Sequence, residues 1–576
     1  MLVRKDTSQH AAPGFDLPAF ALFALIFSAI WLLHAPLLRL PYFWDEAGYY
    51  IPAARDLWLN HQLIPSSTVS SGHPPLVMAW LAFWWKFSSF SPAMTRTAML
   101  MVAAFGLLGV YRLAKQVANV PVAIASTALT AIYPVWFAQS SLAHLDVAAA
   151  AFTFWGLSSY LRDHRWRAIV FFALGGLAKE TAIIAPLVLC AWELVERLTS
   201  KWGVLSLAKR SLRLSQEVPN RLDAGVPHPS SSGRSANRSA FTSLPFSRPT
   251  LTRSLVLLIS VLPLAAWFVY HYSRTGVFFG NPEFFRYNVA ATVHPFRILL
   301  ALIQRFWHAF GYLNLLVLTI AAGMAMLYAP ISHEREERKR IAIPVQMIFA
   351  VLTSAYIVML AVLGGAVIAR YMLPVVPLVI IVAVSTLRRR VSWWHWACGV
   401  VGLTFVLALF VNPPYRISPE DNLTYASYVR LHKDAASVIE KRFPNARVLT
   451  AWPASDELTR PWLRYVSKPV KVVRIDNFSL GNIQLAAHEA SQYDIAYLFS
   501  TKLEPALPMF GGPFWTNLQE RFFDYHRDLP PEAAASLLGG RIIYHASRNG
   551  EWVAIVQIER IENASIGPSG DWANEP

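Results

Sequence analysis

The chain has 576 residues, 55% of them hydrophobic and only 15% charged, with a mean hydropathy of +0.37. Soluble domains run to about 45–50% apolar and about 25% charged residues, so a disordered chain, a collagen-like repeat and an ordinary soluble enzyme are excluded and a polytopic membrane protein is indicated. The 51 Lys and Arg against 35 Asp and Glu give a net charge of +16, but the basic residues sit in short clusters between apolar runs, as membrane topology requires, and no basic face with interleaved aromatics marks a nucleic-acid surface.

In chain order, Arg4 and Lys5 precede an apolar stretch over 17–40. It is too long for a signal-peptide core and lacks a small-residue cleavage pattern, so a retained first span is predicted. At about 20 apolar residues per crossing, further spans are predicted at 94–113, 120–140, 147–161, 166–179, 181–196, 252–271, 311–329, 344–366, 371–387 and 393–411, about eleven in all. With the N-terminus in the cytoplasm, the clusters at Arg112 and Lys115, Arg162 to Arg167, Arg197 to Arg213, Arg335 to Arg340 and Arg388 to Arg390 all fall inside, as the positive-inside rule demands. The Ser-, Arg- and Pro-rich segment 198–251 reads as a flexible cytoplasmic loop. Segments 41–93, 272–310 and 412–576 fall outside. The last carries turns and short alternating runs at Val448-Leu449-Thr450, Ile542-Ile543-Tyr544 and Val553 to Ile558, which predict a small α/β domain. The expected fold is therefore an α-helical polytopic membrane domain, 1–411, followed by a soluble periplasmic α/β domain, 412–576. Cys190 and Cys398 both lie in apolar runs and indicate neither a disulfide framework nor a thiolate metal site.

The ionisable residues with chemical promise all map to the predicted outer face. Asp45 and Glu46 directly follow the first span, where acids also favour a helix N-terminus. His73 stands before Pro74-Pro75-Leu76, and the two prolines can open, but not interrupt, the Trp-rich helix that follows to Phe87. That helix is short for a span and is predicted to lie along the interface. Asp146 opens the fourth span and caps it or serves a site. Lys179-Glu180 joins the fifth and sixth spans and forms a local ion pair or serves the same site. Arg370-Tyr371 opens the tenth; arginine's planar fork suits phosphate, and it also anchors helices to headgroups. Singly, each has an ordinary structural role. Together, at one membrane face, they make a candidate site.

These motifs, in this order, resemble those of the GT-C superfamily of membrane glycosyltransferases, above all the protein O-mannosyltransferase and aminoarabinose (lipid A) transferase group. Trp44-Asp45-Glu46 matches the Asp-Glu motif after the first span, His73-Pro74-Pro75-Leu76 the His/Lys-Pro-Pro-Leu motif, Leu145-Asp146 the second acidic position, and Arg370-Tyr371-Met372-Leu373-Pro374 the Arg-Tyr-Leu-Leu-Pro run. The likeness spans roughly residues 15–410. It implies a polyprenyl-phosphate sugar donor, such as undecaprenyl phosphate carries in a bacterial-type inner membrane, and a lipid, glycan or protein acceptor, with transfer at the outer face. It implies Asp45 as general base, Glu46 and Asp146 as further catalytic acids, and His73, Lys179, Arg370 and Tyr371 around the donor phosphate. Direct displacement with one base would invert the anomeric centre. A divalent metal cation held by Asp45, Asp146 and His73 is compatible with those ligand types. The chain departs from the aminoarabinose transferase at Gly72-His73, where that enzyme carries Glu-Lys: the acid proposed to help hold a metal is absent, and a part-time cation replaces the lysine, so lipid A modification is not implied. A lipid or solute transporter is the reading from another class, but it would place charges near the midplane with inverted repeats, and none is visible.

Overall fold

A computed structural model describes residues 18–201, 251–278, 280, 294–333, 336–363, 366–503, 505, 509, 512–523 and 525–559. The predicted cytoplasmic loop over 198–251 lies outside the described residues from 202 to 250. Among the described residues, five helices are long and apolar enough to cross a membrane: Ala19–Leu37, Pro92–Val117, Val256–Thr275, Pro295–Ala325 and Ile343–Leu363. A sixth is added if the bent pair Val120–Ile132 and Pro134–Ser141 forms one span. The chain is thus a multi-pass, mostly helical membrane protein, but the predicted eleven crossings are not reproduced. The other predicted spans are helices at Asp146–Leu161, Arg165–Ala178, Ile184–Lys201, Val376–Arg390 and Trp394–Phe410. They are too short or too charged to count by length and composition, as where Arg388 to Arg390 end one of them.

Two departures from the sequence reading matter for the site. The predicted single span over 120–140 bends by 67° at Pro134, whose ring removes an amide donor and clashes with the preceding turn. Every residue of Pro134–Ser141 is buried, including Gln139, Ser140 and Ser141, so the broken half carries polar groups into the interior. The predicted outer loop over 272–310 contains a helix, Pro295–Phe310. Its Phe296, Leu299, Ile303 and Phe306 are exposed, whereas Arg297, Arg305 and His308 are buried. This inside-out pattern suits a lipid surround, in which charges turn inward.

The C-terminal residues form a five-stranded sheet ordered Lys471–Ile475, Arg447–Ala451, Ile495–Phe499, Glu551–Ile558, Gly540–Arg548. The first three strands are parallel, with Val448 opposite both Val472 and Ile495, and Glu551–Ile558 runs antiparallel to both of its neighbours. Each of the three predicted runs lies in a strand. Ile495–Phe499 is buried along its whole length, as expected of a strand covered on both faces. Its core is continuous with the loop after the first helix: Tyr42, Phe43, Ala47 and Leu81 share one buried cluster with Tyr425, Tyr428, Val448 and Tyr497. The Tyr465 hydroxyl donates to the Tyr42 carbonyl at 2.9 Å, and Arg460 Nη2 donates to the Ser67 carbonyl at 2.9 Å. The segment following the first helix is therefore clamped between helices and sheet. At Gly48 a Cβ would stand 2.6 Å from the Trp452 ring, so only glycine lets the two segments approach this closely.

Candidate functional site

The site begins at a strained residue. Trp44 has φ 40°, a left-handed conformation unfavourable for a side chain with a Cβ. Its indole is held between the rings of Tyr428 and Trp452, with centroids at 5.6 and 5.4 Å. The two acids that follow take different partners. Glu46 is fully buried. Its Oε1 accepts from the Ala143 amide at 2.6 Å and Arg96 Nη1 at 3.3 Å. Its Oε2 accepts from the Phe43 amide at 2.8 Å and Arg96 Nη2 at 3.2 Å. The Asp45 side chain keeps 22% of its surface exposed, and its Oδ2 accepts from Arg370 Nη2 at 2.6 Å.

Arg370 is the hub. It lies on the 3₁₀ turn Ala369–Met372 and is only 3% exposed. Besides Asp45, its Nη1 donates to Glu420 Oε1 at 3.0 Å and to His144 Nδ1 at 2.9 Å, and its Nε lies 3.3 Å from Asp146 Oδ2. Asp146 opens helix Asp146–Leu161, and its Oδ1 accepts from Lys179 Nζ at 2.6 Å. Lys179 in turn sits 3.7 Å from the centroid of the Tyr371 ring, with the Arg305 guanidinium at 5.4 Å from the same centroid, both within cation–π range. His73 Nδ1 bonds Glu180 Oε2 at 2.9 Å. The Tyr50 ring joins this pair to the hub, with centroids 6.0 Å from both His73 and His144.

The structure thus brings together Asp45, Asp146, Lys179, Arg370 and Tyr371, places the His73–Glu180 pair beside them, and directs Glu46 into a separate buried pair with Arg96. Sequence reasoning missed Glu420 and Arg305. Glu420 had a readable signal, because Ser418-Pro419-Glu420-Asp421 is a capping box that sets two acids just after the last predicted span, as Asp45-Glu46 follow the first. Burial pushes the Glu420 carboxyl up, against the pull of Arg370 and with the help of Asp421 and Asp45, to about 7. Burial likewise raises Asp421 to about 6, although the Tyr312 hydroxyl donates to it at 2.6 Å. Arg305 is fully buried. It donates to the carbonyls of Ile368 at 2.7 Å and Ala366 at 2.9 Å, its Nε has no hydrogen-bond partner, and among the described residues no carboxylate pairs with it. Asp146 is the nearby carboxylate that favours the Arg305 charge, and the guanidinium stands beside the Tyr371 ring.

The metal candidates do not form a donor set. Asp45 Oδ2 and both Asp146 oxygens face the cations Arg370 and Lys179, and His73 Nδ1 is engaged by Glu180. Among the described residues no group of three or more His, Cys, Asp or Glu side chains could hold a metal ion.

Two crystal structures of ArnT from Cupriavidus metallidurans are similar to this chain. The apo state matches with a TM-score of 0.50 at 13% identity, covering 93% of this chain and 97% of that chain. The form bound to undecaprenyl phosphate matches with a TM-score of 0.49 at 14% identity over the same shares. The archaeal oligosaccharyltransferase AglB from Archaeoglobus fulgidus, in complex with an inhibitory peptide and a dolichol-phosphate, matches with a TM-score of 0.42 at 13% identity, covering 92% of this chain and 74% of that chain. No family model and no curated relative matches. At these identities the likeness to ArnT is one of fold, and it agrees with the architecture that the motifs implied.

Proposed function

We propose that this chain is a membrane glycosyltransferase that moves a sugar from a polyprenyl-phosphate donor to a lipid, glycan or protein acceptor at the outer face of the inner membrane. The observation that carries the reading is the hub itself. Arg370, buried just before helix Val376–Arg390, is bonded to Asp45, a partly open carboxylate 325 residues away in sequence. Asp45 Oδ2 is anchored, which leaves Oδ1 for an acceptor hydroxyl or amine. In the proposed step the acceptor oxygen or nitrogen attacks the anomeric carbon, its proton passes to Asp45, and the electron pair of the breaking carbon–oxygen bond goes to the lipid phosphate. A single displacement of this kind inverts the anomeric centre.

The growing phosphate charge needs preorganised cations in a water-poor site. Lys179, Arg305 and Arg370 converge on the Tyr371 ring and fill that role, with His73 at the neighbouring edge. Asp146 grips both Lys179 and Arg370 and acts as a positioning residue. Glu46 acts on the fold of the Asp45 turn rather than on the substrate. The donor class is supported by the cations clustered around Tyr371, by the inside-out helix bearing Arg305, and by the fold shared with ArnT.

Membrane vesicles containing the protein, supplied with a polyprenyl-phosphate sugar, test the reading. Asp45→Asn should abolish transfer while leaving the melting temperature within a degree or two of the parent's, because Arg370 keeps three other partners. Full activity in the variant removes Asp45 from the mechanism.

A further inference from the structure

The hub lies at one end of helix Asp146–Leu161, and Arg162 follows the other end, about 24 Å away at 1.5 Å per residue. There the helices leave a cavity of about 900 Å³, within the range of about 300–1,000 Å³ typical of ligand pockets. It opens between helices Ala19–His34, Pro92–Val117 and Val120–Ile132. The first helix packs thinly, with 17% of its apolar window buried, and this keeps the crevice open along its side. Trp31 Nε1 donates to Thr97 Oγ1 at 3.2 Å, so the first two of these helices run antiparallel and Ala19 lies toward the Arg112 end.

The walls are apolar along the first helix from Ala19 to Leu33, about 21 Å of rise, more than one leaflet's share of a hydrocarbon core about 30 Å thick. The Ala19 end is cationic: Arg112, Lys115 and Arg162 line it, and no Asp or Glu does among the described residues. Two of the guanidinium groups are held in place, Arg112 over the Trp155 ring at 4.9 Å and Arg162 Nε by Gln116 Oε1 at 3.0 Å. A long apolar slot ending in two held guanidinium groups, with Lys115 beside them, matches one ligand chemistry, a hydrocarbon chain carrying an anionic head. We propose that this crevice is a binding site for an anionic glycerophospholipid, distinct from the transfer site, with the phosphate at Arg112 and Arg162 and an acyl chain along the first helix. Basic pockets between membrane helices bind anionic headgroups on the same principle.

The test is native mass spectrometry of the full-length protein released from nanodiscs of equimolar phosphatidylglycerol and phosphatidylcholine with a trace of undecaprenyl phosphate. The expected result is retention of phosphatidylglycerol over phosphatidylcholine by about tenfold or more. Retention should be lost in Arg112→Gln/Arg162→Gln and in Ala29→Trp, which fills the slot but leaves every cation in place, and kept in Asp45→Asn. Thermal stabilisation by added phosphatidylglycerol, present in the parent and absent in Ala29→Trp, checks the same point without relying on the charge variant folding. Equal retention of the two phospholipids, retention unchanged in both variants, replacement of phosphatidylglycerol by undecaprenyl phosphate, or no lipid retained because the chain's own residues 1–17 fill the slot would each overturn the proposal.

Discussion

The adjacent acids Asp45 and Glu46 should fail in opposite ways when neutralised. Glu46→Gln is the informative substitution, since it keeps shape and removes charge. Glu46 and Arg96 are both buried with no exposed surface, and each Glu46 oxygen accepts one backbone amide and one arginine nitrogen. Glutamine offers one oxygen and one NH₂ group, so in either orientation a donor faces the Phe43 or the Ala143 amide, and an amide left unbonded costs about 1–3 kcal/mol. Arg96 meanwhile keeps its carbonyl partners, Pro41 at 2.8 Å and Ser141 at 3.1 Å, but loses its counter-ion. Removing one partner of a buried pair costs about 3–5 kcal/mol. Glu46→Gln should therefore lower the melting temperature in detergent sharply and reduce folded yield, whereas Asp45→Asn should do neither. Glu46→Gln/Arg96→Met eliminates the stranded charge and should recover part of the stability lost in Glu46→Gln, short of the parent's because the Pro41 and Ser141 carbonyls also lose their donor. A Glu46→Gln protein as stable as the parent but inactive in transfer would refute this reasoning and return Glu46 to the chemistry.

Glu420 and Arg305 give further tests. Glu420 stands at about 7 in the folded state against an ordinary 4.5; an acid raised by folding contributes stability that is present below the lower value and lost as pH rises through the higher one. Melting temperature should fall as pH rises from about 4.5 to about 7, and less so in Glu420→Gln. With Glu420 neutral, Arg370 has one carboxylate neighbour fewer, so the donor KM should decrease as pH drops through about 7, and Glu420→Gln should hold the low-pH KM at every pH; a parent-like KM profile in that variant contradicts the role. Arg305→Met should raise the donor KM about tenfold or more, the scale of one lost charge-assisted contact, while the acceptor KM stays put; equal effects on both would place Arg305 outside the phosphate site. Gly48→Val must displace the Trp452 ring and should lower both stability and transfer, measured by melting temperature and vesicle assay.

Much of the fold was legible because hydropathy and charge placement act over whole segments: the helices of the bundle and the three C-terminal strand runs lie where apolar runs and alternation put them. By length and composition the described residues hold five or six membrane-capable helices rather than the expected eleven, because helices such as Asp146–Leu161 are shorter than a full span and Pro134 bends a run that hydropathy reads as continuous. Helix Pro295–Phe310 was read as loop since Arg297, Arg305 and His308 lower its hydropathy; only in three dimensions does it become clear that these residues share the inward face. Within the site, Asp45, Asp146, Lys179 and Arg370 were recognisable from their common depth. Adjacency in sequence could not reveal that Asp45 and Glu46 part company, since that depends on the left-handed turn at Trp44 and on Arg96 arriving from another helix.

That turn also ties the membrane helices to the sheet. Trp44 adopts an unfavourable backbone conformation only because Tyr428 and Trp452 box its ring, and both belong to the segment that composition alone would set apart as a soluble domain. The same segment supplies Glu420 to Arg370, and its Gln139 contact runs back to the broken helix, where Nε2 donates to the Glu420 carbonyl at 3.0 Å. The change in composition near residue 412 is therefore not a break in the core. Strain at Trp44 persists only where surrounding structure over-determines it, so the orientation of the Asp45 carboxylate depends on aromatic packing from Tyr428, on helix Thr424–Arg442, and from Trp452, just after strand Arg447–Ala451. Asp45 and the cations beside it are thus fixed by different parts of the chain, and the segment after residue 412 packs against the turn that carries Asp45.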